Sequence, residues 1–374
     1  MRESRHGIRS NVLNMEPYQP GRPIEDVKRE YGLKHVVKLA SNENPLGPSP
    51  KAVEALRRAA GEMHLYPDGA SRALREAISA RFGVPYDQVL VGNGSDELIH
   101  LLGLLFLGRP DDEMIVGNPS FTRYDASAFL APAKLHYIPL DADLKFDLDA
   151  MAAAVTPNTR LIFIANPNNP TGTVVERAEF ERFLDRLPEH LPVVLDEAYV
   201  EFAEPHFDVP RSQDYVLEGR PVIGLRTFSK AFGLAGLRVG WAFVPHEVAD
   251  AFHRAREPFN VNRLGQVAAI AALHDDDHIA RTVANNSAGL RRLNAILEQH
   301  EGRPYRSGAN FAYANLRRPA QPVFEQLMRR GVIVRSGHHV GHPDCLRVSV
   351  GTPDEIAVFE EQFGIVMNEL TARV

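Results

Sequence analysis

Short apolar runs alternate with amphipathic stretches through the middle of the chain. Seven runs read as strands, at residues 88–91, 113–116, 134–138, 160–164, 192–195, 221–225 and 238–243. Between most of them lie helical patterns, among them residues 97–107, 148–155 and 177–187. Strands alternating with helices predict an α/β fold: a mostly parallel seven-stranded sheet flanked by helices. Ligands of such sheets bind beyond the carboxyl ends of the strands, so the residues after each run carry the interest.

The pattern changes beyond about residue 257. Two helical stretches follow, at 264–273 and 278–300, the second long enough to bridge two domains. Strand-like segments at 310–315, 332–335 and 346–350 come next, with helices at 323–330 and 354–370. These predict a smaller α+β domain. A Pro- and Gly-punctuated stretch up to about residue 40 reads as an arm. The expected division is residues 1–50 as N-terminal arm and part of the small domain, 51–259 as the large domain, and 260–374 as the small domain with the bridging helix. At 374 residues the chain exceeds the size at which single cores stop growing, which agrees with two domains.

A formal net charge of -6, from 42 basic and 48 acidic residues, gives no general attraction to nucleic acid or anionic lipid. Any phosphate must be held locally. Cys345 is the only cysteine, so no intrachain disulfide forms, which fits a reducing cytoplasm. The start, Met1-Arg-Glu-Ser-Arg-His-Gly, is too polar for a secretory signal. The greasiest run, 98–107, is interrupted by His100 and is too short to cross a bilayer.

Five segments fall where the sheet presents its ligand edge. Gly92-Asn93-Gly94-Ser95-Asp96-Glu97 opens a helix straight after a strand, so free backbone N–H groups are offered to an anion. An ordinary helix start capped by Ser95 or Asp96 would read the same way. The dinucleotide fingerprint needs a further glycine. Asn166-Pro167-Asn168-Asn169-Pro170-Thr171-Gly172 is a rigid turn whose adjacent amides can meet a ligand. Asp196-Glu197-Ala198-Tyr199 follows the apolar run 193–195. An acid at the tip of a buried strand needs a positive partner, either a protonated ring nitrogen or a protein Arg or Lys. Local sequence favours neither.

Lys230 lies in Thr227-Phe228-Ser229-Lys230-Ala231-Phe232, between aromatic residues and near a strand end. A lysine desolvated there becomes nucleophilic, although most lysines lie on the surface. Ser229 and Arg238 flank it and can hold a phosphate. Arg347, in Cys345-Leu346-Arg347-Val348-Ser349, suits a carboxylate or phosphate, or a structural ion pair.

Taken in order, these segments resemble the fold-type I pyridoxal-phosphate aminotransferases of class I/II. The likeness extends to Pro17-Tyr18-Gln19-Pro20-Gly21, Lys38-Leu39-Ala40-Ser41-Asn42-Glu43-Asn44-Pro45, Tyr66-Pro67-Asp68 and Pro258-Phe259-Asn260, and so covers nearly the whole chain. The resemblance implies pyridoxal 5'-phosphate as cofactor and no metal. It implies that Lys230 forms a Schiff base with the cofactor and moves the proton, while Asp196 pairs with the ring nitrogen. Asn169 and Tyr199 would meet the ring hydroxyl, and Phe121 would stack on the ring where tyrosine is also common. Gly94, Ser95, Asp96, Ser229 and Arg238 would hold the phosphate. Tyr66 would reach the phosphate of a neighbouring subunit, implying a homodimer with active sites at the subunit interface. Tyr18, Asn44, Arg335 and Arg347 would bind substrate. The most similar branch exchanges an amino group between L-glutamate and imidazole-acetol phosphate to give L-histidinol phosphate. Relatives of the same fold act on aromatic amino acids or decarboxylate phosphothreonine. A regulator built on this fold would need a DNA-binding module, for which no room exists before Lys38.

Overall fold

A computed structural model of the chain describes residues 6–13, 15 and 21–372. The first strand, β1 (Val37–Lys38), lies apart from the next seven. These are β2 (Val89–Gly92), β3 (Glu113–Asn118), β4 (Lys134–Pro139), β5 (Thr159–Ala165), β6 (Val193–Asp196), β7 (Val222–Thr227) and β8 (Gly240–Phe243), one for each run read from the sequence. They form one sheet in the order β2-β8-β7-β6-β5-β3-β4. Neighbours are parallel except β8, which runs antiparallel to both β2 and β7.

Apart from the partly exposed edge strand β4, the strands are buried, and their runs are largely apolar because helices cover both faces. Alternation along β2 and β8 shows this directly. Leu90 and Ala242 join the core packed by helices Gly94–Phe106, Arg177–Leu184 and His246–Ala255. Val89, Val91, Trp241 and Phe243 point into a second core with Phe228 and Phe232, roofed by Pro50–Ala59, Arg72–Phe82 and Arg263–Leu273. Fully burying one such aromatic stabilises the fold by about 1.5–3 kcal/mol.

Two of those roofing helices were not among the stretches expected from the sequence. Pro50–Ala59 packs through the small residues Ala52, Ala55 and Ala59. Arg72–Phe82 buries Arg75 beside Leu74 and Ile78, with the guanidinium donating to the carbonyls of Val89 and Tyr86. Pro50–Ala59 is amphipathic, but its buried side is alanine and carries little apolar bulk.

The C-terminal part builds a four-stranded antiparallel sheet in the order β12 (Arg335–Ser336), β13 (Cys345–Ser349), β10 (Phe311–Asn315), β9 (Arg303–Pro304). Helices Asp276–Gln299, Ala320–Arg329 and Pro353–Thr371 cover it around Leu293, Val323, Leu346 and Phe359. Expected strand 332–335 is in fact two. β11 (Val332–Ile333) pairs in parallel with β1, and the chain then crosses at Val334 into β12. Residues 21–40, expected as part of an arm, are tied by that pairing to the C-terminal body. Helix Ile24–Tyr31 seats Val27 against Met328 and Ile333, so this stretch is built into the C-terminal body. Among the described residues no helix is long and apolar enough to cross a membrane.

The long helix Asp276–Gln299 touches both bodies. Leu293, Ile296 and Leu297 enter the small core. At its other end Thr282 accepts a hydrogen bond from Asn44, beside the loop that carries Lys230.

Candidate active site

Parallel register places Ala165, Asp196 and Leu225 side by side at the carboxyl ends of β5, β6 and β7. The turns beyond them open into a cavity of about 370 Å³. That is enough for a small cofactor with part of its substrate. Its wall includes Lys230, Asp196, Tyr199, Asn169, Phe121, Ser95, Asp96, Ser229, Arg238, Arg335 and Arg347. Segments spread over more than two hundred residues thus converge on one space.

Lys230 is half-buried, not a surface lysine. Phe228 and Phe232 on either side of it turn down into the aromatic core with Trp241. The amine is thereby held upward. Nζ stands 3.5 Å from the Ser41 carbonyl and 5.6 Å from the centre of the Tyr199 ring.

Asp196 is 4% exposed. Oδ2 accepts from the Tyr124 hydroxyl at 2.7 Å and Oδ1 from the Ala198 N–H at 3.1 Å. Burial pushes its pKa up to about 6, against the lowering effect of those two donors. Among the described residues no Arg or Lys forms a salt bridge with it. The protein cation goes to the next residue instead, as Arg226 Nε lies 3.0 Å from Glu197 Oε2 with both side chains buried. Glu197 also accepts from the Ser212 backbone and hydroxyl. The choice left open by the sequence is therefore resolved for Glu197 and leaves Asp196 facing the cavity with an unneutralised charge.

An anion cradle lies at the opposite end. Helix Gly94–Phe106 opens there, but neither Ser95 nor Asp96 caps it. Glu97 takes that role, accepting from the Asn93 N–H at 2.6 Å, held by Asn260 at 2.8 Å. Asp96 instead pairs with Arg238 Nη2 at 2.9 Å. Arg238 Nη1 is 3.5 Å from the Ser229 hydroxyl. Gly94 has φ +75°, and a Cβ there would stand 2.6 Å from Arg238 Nη2. A Cβ on Gly240 would be 2.5 Å from the Ser95 nitrogen. Both glycines keep the helix end open and close to the guanidinium.

The C-terminal body supplies the other wall. Arg335 on β12 and Arg347 on β13 are register partners. Arg347 donates to Asn169 Oδ1 at 2.5 Å and to the Ala40 carbonyl at 2.8 Å, above the Phe311 ring. Tyr199 accepts from Asn42 Nδ2 at 3.1 Å.

Three expected residues stand elsewhere. Asn44 is not on the cavity wall: its amide N–H₂ donates to the Ala231 carbonyl and Thr282, and its oxygen accepts from Leu46. Asn42, two residues earlier, lines the cavity. Tyr66 is 79% exposed, stacked on Phe259 outside the cavity. Tyr18 lies outside the described residues. Sequence reading missed Tyr124 and Asn42. Tyr124 sits three residues beyond Phe121, just inside the helix that follows it, and that nearness was its available signal.

This arrangement fits pyridoxal phosphate: an amine, an acid without a protein cation, an aromatic wall and an anion cradle around one space. A sequence profile of aminotransferase class I and II matches residues 34–363. The chain belongs to this family of pyridoxal-phosphate-dependent transaminases. It is 46% identical over 346 residues to histidinol-phosphate aminotransferase of Moorella thermoacetica, covering 92% of this chain and 89% of that one. Histidinol-phosphate aminotransferase 2 of Carboxydothermus hydrogenoformans is 43% identical over 97% of this chain and all of its own (100%). The crystal structure of histidinol-phosphate aminotransferase from Sinorhizobium meliloti, in complex with pyridoxal-5'-phosphate, superposes with a TM-score of 0.90 at 27% identity, covering 98% of this chain and 99% of that one.

Proposed function

We propose that this transaminase moves an amino group between L-glutamate and imidazole-acetol phosphate, giving L-histidinol phosphate. The observation that carries the substrate class is the pair Arg335 and Arg347, register partners on neighbouring strands that both line the cavity. Each substrate brings an anionic group beyond its reacting carbon, and arginine suits both carboxylate and phosphate. The names of relatives 43–46% identical support the particular substrate.

When bound, the cofactor supplies an electron sink for the negative charge that develops at the substrate Cα. Lys230 Nζ takes that proton as general base and later returns it. Asp196 holds the positive charge of the ring nitrogen, for which its cation-free burial prepares it. Tyr199, already accepting from Asn42, keeps its own proton to donate toward the ring hydroxyl, and Asn169 donates through its amide. Phe121 covers the ring face. The backbone at Gly94, Ser95 and Asp96, with Ser229 and Arg238, holds the cofactor phosphate. Tyr66 serves the site of a second copy, which its exposed stack on Phe259 supports. The proposal includes a homodimer in the cytoplasm, a large cofactor-binding domain at 51–259, and a small domain at 260–374 joined by part of the 1–50 arm.

Lys230→Ala is expected to abolish turnover and the absorbance of lysine-bound cofactor; retention of both refutes the role of Lys230. For substrate, the aminated enzyme is mixed with imidazole-acetol phosphate, phenylpyruvate or 4-hydroxyphenylpyruvate in single turnovers. Faster reaction with the aromatic oxo acids overturns the assignment, as does release of carbon dioxide from phosphothreonine. For the dimer, Lys230→Ala and Tyr66→Ala chains are inactive or weak alone and regain activity when co-assembled. Absence of such recovery removes the cross-subunit role of Tyr66.

A further inference from the structure

Tyr124 touches the acid of the site and the aromatic wall at once. It opens helix Arg123–Leu130 and is 1% exposed. Its ring stacks on Phe163 of β5, 4.6 Å between centroids and 19° from parallel. The ring of Phe121 meets it edge-on at 5.6 Å and 83°. From this clamped position the hydroxyl donates to Asp196 Oδ2 at 2.7 Å. The tyrosine cannot swing away without emptying a packed core, so the Asp196 carboxylate is held in one plane.

We propose that Tyr124 is the positioning residue of the cofactor site: it fixes the orientation of the Asp196 carboxylate, keeps it ionised, and registers it with the Phe121 wall. This rests on the reading that Asp196 faces the cofactor ring nitrogen. A carboxylate that must hold a proton on its partner, and not take it, has to be a weak base. Burial works against this by favouring the protonated acid, and Asp96 and Glu197 add to that effect. Opposing it are the Tyr124 hydroxyl and the Ala198 N–H. Tyr199, Lys230 and Arg238 line the same cavity without a hydrogen bond to Asp196. A hydrogen bond to the charged form favours that form. Of the two donors, only the Tyr124 hydroxyl can be removed by changing a side chain.

Tyr124→Phe removes the hydroxyl and keeps the ring. Two quantities are read: the dissociation constant of pyridoxal phosphate, and the pH midpoint at which the cofactor-free protein changes stability through Asp196. The variant is expected to bind the cofactor about tenfold more weakly, equivalent to about 1.4 kcal/mol. Its midpoint moves upward. Phe163→Leu disturbs the same packing without touching the hydrogen bond, and should leave the midpoint in place. Once Asp196 is Asn, adding Tyr124→Phe should cost little further cofactor affinity, because the two residues act as one. The proposal is overturned if Tyr124→Phe leaves both quantities unchanged, or if Phe163→Leu moves the midpoint equally. If Asp196→Asn alone leaves cofactor affinity intact, it is the underlying role of Asp196 that fails.

Discussion

Replacing Asp196 with Asn should make the cofactor-free protein more stable while disabling the enzyme. Asp196 is buried at the end of β6, and its pKa stands at about 6 against an ordinary 3.8. The folded protein therefore holds this proton more tightly than the unfolded chain does. Stability contributed here is present below the unfolded pKa and is lost as pH rises through the folded one. The gap is roughly two pH units, and at 1.36 kcal/mol per unit an ionised Asp196 costs the empty site about 3 kcal/mol at neutral pH. Asparagine carries no such charge and can keep both contacts. Its oxygen accepts from the Ala198 N–H, and its amide donates to a Tyr124 hydroxyl turned round to accept. Urea unfolding of both cofactor-free proteins at pH 4.5 and pH 7.5 gives the comparison. The variant should gain up to about 3 kcal/mol at the higher pH and only about 1 kcal/mol at the lower. Other titrating groups cancel in the difference. A variant less stable than the parent at both pH values, or equal at pH 7.5, would refute the reasoning. Loaded with pyridoxal phosphate, the order should reverse, because the charge then has its partner.

The neighbouring acid behaves oppositely: Glu197→Ala strands the buried Arg226 guanidinium and should cost about 3–5 kcal/mol, visible as a large fall in melting temperature with or without cofactor. Gly94→Ala imposes a side chain at positive φ and drives Arg238 from Asp96; equilibrium dialysis should show pyridoxal phosphate bound at least tenfold more weakly. Arg347→Lys loses the fork that reaches Asn169 and the Ala40 carbonyl together. Steady-state kinetics should show KM for glutamate raised on the order of tenfold or more, with a smaller change in kcat.

The sheet was legible in the chain because its inner strands are buried on both faces, so 193–195 and its companions appear as apolar runs, with the edge strand β4 more mixed. Lys230 was legible through its neighbours, since the strand-end position and Ser229 and Arg238 mark one site together. What escaped has physical causes. Tyr124 lies on a short helix whose buried face mixes Tyr, Ala and Ser, so no apolar stripe announces it. Asn42 and Asn44 sit in one motif, and only the folded path of the loop turns the first toward Tyr199 and the second toward Ala231. The split of 332–335 between two sheets depends on β1, which pairs from almost three hundred residues upstream. Tyr66 cannot be judged within one chain, because its proposed target belongs to another copy.

The position of β8 between β2 and β7 has a consequence for the order in which the molecule comes into being. β2 pairs with nothing but β8, and Val89 meets Phe243 across about 150 residues of chain. Gly94 follows β2, while Arg238 and Gly240 belong to the segment that forms β8. At 5–20 residues per second, a ribosome that has just made Val89 needs roughly ten to thirty seconds to deliver its partner. Until then the phosphate-binding end of the site has one glycine loop and no arginine. The nascent chain therefore cannot recruit pyridoxal phosphate to guide the assembly of its central sheet. Cofactor capture waits until about two-thirds of the polypeptide is made, and chains terminated before Arg238 should bind it far more weakly than the full chain.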